Sequence, residues 1–299
     1  MKPHQIVLVI ALVALSSPSL FAEDANQFFR QGKVLESLGF KSEILGRDVN
    51  YSIYLPPDYD TSVRQYPVVY LLHGATDNET AWVQFGEVDK TADRAIASRQ
   101  IPSMIIVMPA AGLTWYINDY QNKVRYEDMF IDEFIPYIDK HYRTRPQKEY
   151  RGISGLSMGG YGALIMSMRH PDLFTACAAF SAGVHTDEQW IARNFKEYNL
   201  ADVYGPLPAD QSRLTDHYKK YNPIHQAKTL PVETLKSVHW YLDCGDDDFL
   251  YKGNSALYIA LREHNIPIEY RVRNGGHEWS YWRTGIVDGL KFIGDNFHR

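Results

Sequence analysis

The chain has 299 residues, 45% hydrophobic and 13% aromatic, which is enough apolar content for one large core. A charged fraction of 22%, with ordinary glycine and proline counts, excludes disorder, collagen and linker-rich arrays. The net charge of −5 offers no basic field to a polyphosphate, so nucleic acid is excluded as the main partner.

Met1–Lys2 forms a weakly positive start, Ile6–Leu15 is an unbroken apolar run, and Leu20-Phe21-Ala22 precedes the acidic Glu23-Asp24. This three-part layout predicts a secretory signal peptide over residues 1–22, cleaved after Ala22. Ten apolar residues are too few to span a bilayer as a helix, so no transmembrane span is expected there. Residues 23–299 are then a single exported domain, periplasmic or extracellular, with a net charge of −6. Cys177 and Cys244 are too few for a disulfide scaffold and sit in apolar runs. They read as buried thiols rather than a bridge.

Lys33–Ile44 and Val49–Leu55 read as an antiparallel pair. Short apolar runs bounded by turn residues follow at Val68–Leu72, Ile105–Met108, Tyr150–Ile153, Cys177–Phe180 and Trp240–Asp243, and Ile268–Val272 alternates like a strand. Stretches of helical period separate them: Val88–Ala97, Met129–His141, Tyr161–Met168, Ser255–Glu263 and Tyr281–Phe297. Continuous apolar strands alternating with helices predict a three-layer α/β domain, its mostly parallel sheet covered on both faces. His185–Ser237 breaks the rhythm: it is charged, rich in Tyr and Pro, and contains no clear strand. It reads as an insertion at the strands' C-terminal edge, either a lid or pocket wall or a surface elaboration.

The sharpest motif is Gly155-Leu156-Ser157-Met158-Gly159-Gly160, with a strand before it and a helix after it. That context defines a nucleophile elbow, whose glycines omit Cβ atoms that would clash in a sharp turn. Ser157 is thereby raised at the positive end of the following helix, and Met158 is placed to offer its N–H to a developing oxyanion. A serine at its normal pKa needs a base and an orienting acid, which follow it in the order Asp or Glu, then His. Asn274-Gly275-Gly276-His277 lies directly after the last strand, which favours His277 over His225, His239 and His264. The preceding loop, Gly245-Asp246-Asp247-Asp248, offers three acids. Asp248 is favoured because it sits where the loop turns toward the next helix. The cluster lacks the alternating ligand pattern of a calcium loop, and no metal site is expected. The turn His73-Gly74-Ala75 ends a strand on the same edge, so Ala75 is the expected second oxyanion donor.

Tyr54-Leu55-Pro56-Pro57, the run from Tyr66 to Gly74, Gly155–Ala163, Gly245–Tyr251 and Gly276–Trp282 together resemble the esterase-D-like branch of the α/β-hydrolases. That branch includes tributyrin-type esterases, feruloyl and acetyl-xylan esterases, S-formylglutathione hydrolases and mycolyltransferases. The resemblance spans roughly residues 45–297, and the GDDDFLY and HEWSYW runs are most similar to the tributyrin and feruloyl esterase members. It implies Ser157, Asp248 and His277 as a catalytic triad, Ala75 and Met158 as oxyanion donors, and a two-step acyl transfer without a cofactor. The insertion after Ser181 matches none of the family's patterns.

With an export signal, the implied partner is an ester of plant cell-wall polysaccharide, feruloyl or acetyl, rather than a cytosolic thioester. Trp115 and Tyr116, on the loop after Ile105–Met108, are candidate stacking residues for a sugar or a feruloyl ring. Two other readings share the same residues: an acyltransferase of the same fold, and a carbohydrate-binding relative without turnover.

Overall fold

A computed structural model describes residues 31–297, so the leader expected over residues 1–22 lies outside the described residues. Eight strands form one sheet: β1 (Lys33–Ser42), β2 (Arg47–Leu55), β3 (Val68–Leu72), β4 (Ile105–Pro109), β5 (Arg151–Leu156), β6 (Ala176–Phe180), β7 (His239–Asp243) and β8 (Ile268–Arg271). Their order is β1-β2-β4-β3-β5-β6-β7-β8; β1 and β2 pair antiparallel, β2 pairs antiparallel with β4, and every later pairing is parallel.

β3, β4, β5 and β6 are buried along their whole length, which is why each reads as an unbroken apolar run. Side chains of β3 alternate between two cores. Val68, Tyr70 and Leu72 face one, with Phe130, Phe134 and Leu164, while Val69 and Leu71 face the other, with Ile286, Leu290 and Ile293. Four longer helices cover the sheet: α1 (Val88–Ala97), α2 (Met158–Arg169), α3 (Tyr251–Glu263) and α4 (Trp279–Asp295). The cores place α1 and α4 on one face, with α2 and α3 on the other.

The expected elements are present, with shifted ends. α2 begins three residues before the expected Tyr161, because Gly159 and Gly160 interrupt the apolar period over its first turn. The cysteines are unpaired and buried, Cys177 opposite Trp240 in the β6–β7 register and Cys244 just past β7. Burial pushes the Cys177 thiol up to about 12, so it packs as a small apolar group.

Between β6 and β7, residues 185–237 fold into short helices, among them Asp187–Ala192, Leu200–Tyr204, Asp216–Tyr221 and Pro223–Thr229, with no strand. Trp190 centres an aromatic cluster, its ring 4.6 Å from Tyr204, 4.9 Å from Tyr218 and 5.0 Å from Phe195. Two polar staples tie this segment to the sheet's helices. The Tyr161 hydroxyl of α2 donates to the Tyr221 carbonyl at 2.6 Å, and the Tyr221 hydroxyl donates to the buried Glu127 at 2.5 Å. No helix among the described residues is long and apolar enough to cross a membrane.

Candidate active site

The turn from β5 into α2 forces Ser157 to φ 53° and ψ −117°, a left-handed region that L-residues avoid. The strain is fixed by close packing. A Cβ on Gly155 would lie 2.4 Å from the Gly159 carbonyl oxygen, and one on Gly159 would lie 2.4 Å from that of Leu72. The elbow therefore rests directly on the end of β3, and both positions require glycine. Ser157 N–H donates to the Phe180 carbonyl at 2.9 Å, anchoring the turn to β6.

His277 approaches from the loop between β8 and α4. Its Nε2 lies 2.9 Å from Ser157 Oγ, and its Nδ1 lies 2.9 Å from Asp248 Oδ2. Asp248 also accepts from the Leu250 N–H through Oδ1 at 2.9 Å. Of the three loop acids only Asp248 meets the histidine. Asp246 instead accepts from Gly275 N–H at 3.0 Å, and Asp247 is exposed. Burial alone would raise the Asp248 carboxyl, but the His277 hydrogen bond and charge, with the Leu250 and Ser181 donors, hold it below the ordinary value. The imidazole is packed between Phe249 and Trp282, ring centroids 4.6 and 4.9 Å away, and Trp282 is fixed by donating to Ser181 Oγ at 2.9 Å.

A second network braces the same loop and had no signature in the sequence. Asp243, wholly buried at the end of β7, accepts from Arg273 Nε at 3.0 Å and from the hydroxyls of Tyr241 and Tyr281. It thus joins β7, the residues before His277 and the first turn of α4.

After β3, His73 is buried and neutral, its pKa lowered to about 4 by burial. Nε2 accepts from the Ala111 N–H at 2.9 Å, so Nδ1 carries the proton and donates to the Gly74 carbonyl at 2.7 Å. This bond orients the Gly74–Ala75 turn beside Ser157. Asp77, two residues beyond Ala75, is pushed up to about 6 by burial, against the hydrogen bond it accepts from Gly74.

Ser157, His277 and Ala75 open on a cavity of about 300 Å³. Trp115 is one of its walls, and its indole N–H donates to the Tyr198 carbonyl at 2.9 Å. Tyr116 is not part of the cavity, contrary to the pairing expected for it. Its ring is fully buried against Gly162 and His73, and its hydroxyl donates to the His73 carbonyl at 3.0 Å. Met158 is buried at the start of α2. The insertion supplies His185, Arg193 and Tyr198 to the cavity wall, none of them marked by a sequence motif.

A mostly parallel eight-stranded sheet with helices on both faces, and a strained serine between a central strand and its helix, is the α/β-hydrolase architecture. The chain belongs to the esterase family: residues 42–293 match its family model, "Putative esterase". It is 33% identical to a ferulic acid esterase of known structure, with a TM-score of 0.79, covering 90% of this chain and 99% of that one. It is 24% identical to an acetyl esterase of Caldicellulosiruptor saccharolyticus over 86% of this chain and 96% of that protein. It is 35% identical to an endo-1,4-beta-xylanase/feruloyl esterase of Xylanibacter ruminicola over 52% of this chain, a match that spans only 22% of that larger protein.

Proposed function

We propose that this protein is an exported serine carboxylesterase acting on feruloyl or acetyl esters of plant cell-wall polysaccharide. The observation that carries the reading is the unbroken chain Asp248–His277–Ser157, with both links at 2.9 Å, opening on an aromatic-walled cavity. The names of the ferulic acid and acetyl esterase relatives and the leader-like N-terminus supply the substrate class and the export.

Nδ1 of His277 donates to Asp248, which leaves the Nε2 lone pair for the Ser157 hydroxyl proton. As Ser157 Oγ attacks the ester carbonyl, that proton passes to Nε2, and the buried Asp248 carboxylate stabilises the imidazolium. The new oxyanion accepts from the N–H groups of Ala75 and Met158. Met158 is the first residue of α2, so its N–H has no carbonyl four residues back in the helix. Nε2 then returns the proton to the leaving alcohol, and water repeats the sequence on the acyl-enzyme.

Replacing Ser157 by Ala tests this directly. Hydrolysis of 4-nitrophenyl acetate, methyl ferulate and acetylated xylan should each fall by about 10⁴-fold or more. Undiminished turnover of all three by Ser157→Ala would refute the reading.

A further inference from the structure

Arg193 is the one cation lining the cavity, and no carboxylate lies within ion-pairing distance of it among the described residues. Its Nη1 sits 2.5 Å from His185 Nε2. His185 donates its Nδ1 proton to the Gly183 carbonyl at 3.1 Å, so it meets the arginine as a neutral acceptor and contributes no counter-charge. The guanidinium faces the Tyr198 ring at 5.8 Å, and its Nε is buried without any hydrogen-bond partner. Glu197, the acid it feels most, is exposed and hydrogen-bonded to Asn194 instead. Asp77 shares the cavity wall but forms no ion pair with the arginine.

This placement is built into the insertion. Arg213, itself 6% exposed, donates to the main-chain carbonyls of Arg193 at 2.5 Å and Ile191 at 2.8 Å, fixing the backbone that carries the side chain. A half-buried guanidinium without an ion-pair partner is destabilising unless an anion completes it. A carboxylate supplies both the missing counter-charge and a charge-assisted acceptor.

From this geometry we infer that Arg193 forms an anion subsite of the ester pocket, selecting substrates that carry a carboxylate on the acyl or the alcohol part. The inference rests on the esterase reading for its location, but the binding arm of its test does not depend on turnover.

Two isosteric pairs probe it: monomethyl terephthalate against methyl 4-carbamoylbenzoate for the acyl side, and 4-acetoxybenzoate against 4-acetoxybenzamide for the alcohol side. In the wild-type protein kcat/KM should favour the carboxylate member of at least one pair by about tenfold or more, the size of a charge-assisted hydrogen bond. Arg193→Gln should abolish that preference and Arg193→Lys should restore part of it, with thermal melts showing that both variants fold. In parallel, calorimetric binding of terephthalamate to Ser157→Ala should weaken about tenfold when Arg193→Gln is added. A wild-type ratio at or below one in both pairs, or a preference that survives Arg193→Gln, overturns the subsite and leaves Ser157-dependent hydrolysis standing. Binding that needs Arg193 in a protein with no Ser157-dependent turnover overturns the esterase reading and leaves the subsite standing.

Discussion

Strand β5 and the 185–237 insertion reach the same cavity by different means. Ser157 is positioned by backbone: the β5 register against β3 and β6, with Gly159 pressed on the carbonyl of Leu72 and Gly155 on that of Gly159. Arg193 and Tyr198 are positioned by side chains, through the Arg213 guanidinium on main-chain carbonyls, the Trp190 cluster and the Glu127–Tyr221 staple. The proposed chemistry therefore lies on the part of the fold that is hardest to perturb, and the proposed selectivity on a part that a single buried polar group can release.

Two regions held so differently should fail differently. Asp248→Asn should lower kcat by about 10³–10⁴-fold while the melting temperature barely moves, because the amide keeps the shape and loses the charge that holds the histidine tautomer. Steady-state kinetics beside a thermal melt would check this, and a large loss of stability would count against it.

Glu127→Gln should do the reverse. Glu127 accepts from Arg169 Nε at 2.6 Å, contacts His170 Nε2 at 2.8 Å and is held to about 2, the hydrogen bonds and the Arg169 charge outweighing its burial. Breaking this group should cost about 2–4 kcal/mol in a urea titration and speed proteolysis within 185–237, with kcat on a small acetyl ester reduced far less than in Asp248→Asn. The sign with pH follows from the lowered value. The stabilisation is present above the ordinary carboxylate range near 4.5 and is lost as pH falls toward 2, so the variant should lose that acid limb.

The smallest effect lies at Asp77, whose raised value has the opposite sign. Below 3.8 the carboxyl is protonated in both folded and unfolded chains and costs nothing; above about 6 it is ionised in both, and the folded state bears the burial penalty. Asp77→Asn should stabilise the protein by about 1 kcal/mol at pH 7.5, allowing for solvent screening, and by nothing measurable at pH 3.5. Equal melting shifts at the two pH values would contradict this assignment.

The same division explains what could be read in the sequence. Parallel strands buried on both faces leave apolar runs, and an elbow leaves glycines, so the sheet's strands, the Ser157 turn, and the loops of Asp248 and His277 are legible in the sequence, with some strand ends shifted by one to three residues. The choice among Asp246, Asp247 and Asp248 turned on loop geometry, and Gly275 rather than His277 takes up Asp246. Trp115 and Tyr116 are adjacent, aromatic and both buried, with left-handed φ values of 57° and 60°, yet only Trp115 lines the cavity while Tyr116 packs against Gly162 and His73. No spacing rule encodes that. Arg213 and Asp243 act through contacts twenty or more residues away, and His185 and Arg193 meet side chain to side chain eight residues apart, which composition and period do not record.

The pairing of Leu72 with Gly155 across β3 and β5 sets the separation between the Ser157 elbow and the Gly74–Ala75 turn by the fixed pitch of a sheet. For protein engineering, this makes the molecule divisible. The insertion can be shortened, randomised or exchanged for a relative's segment to change which esters are accepted, while the distance from nucleophile to turn is inherited unaltered from the two strands beneath.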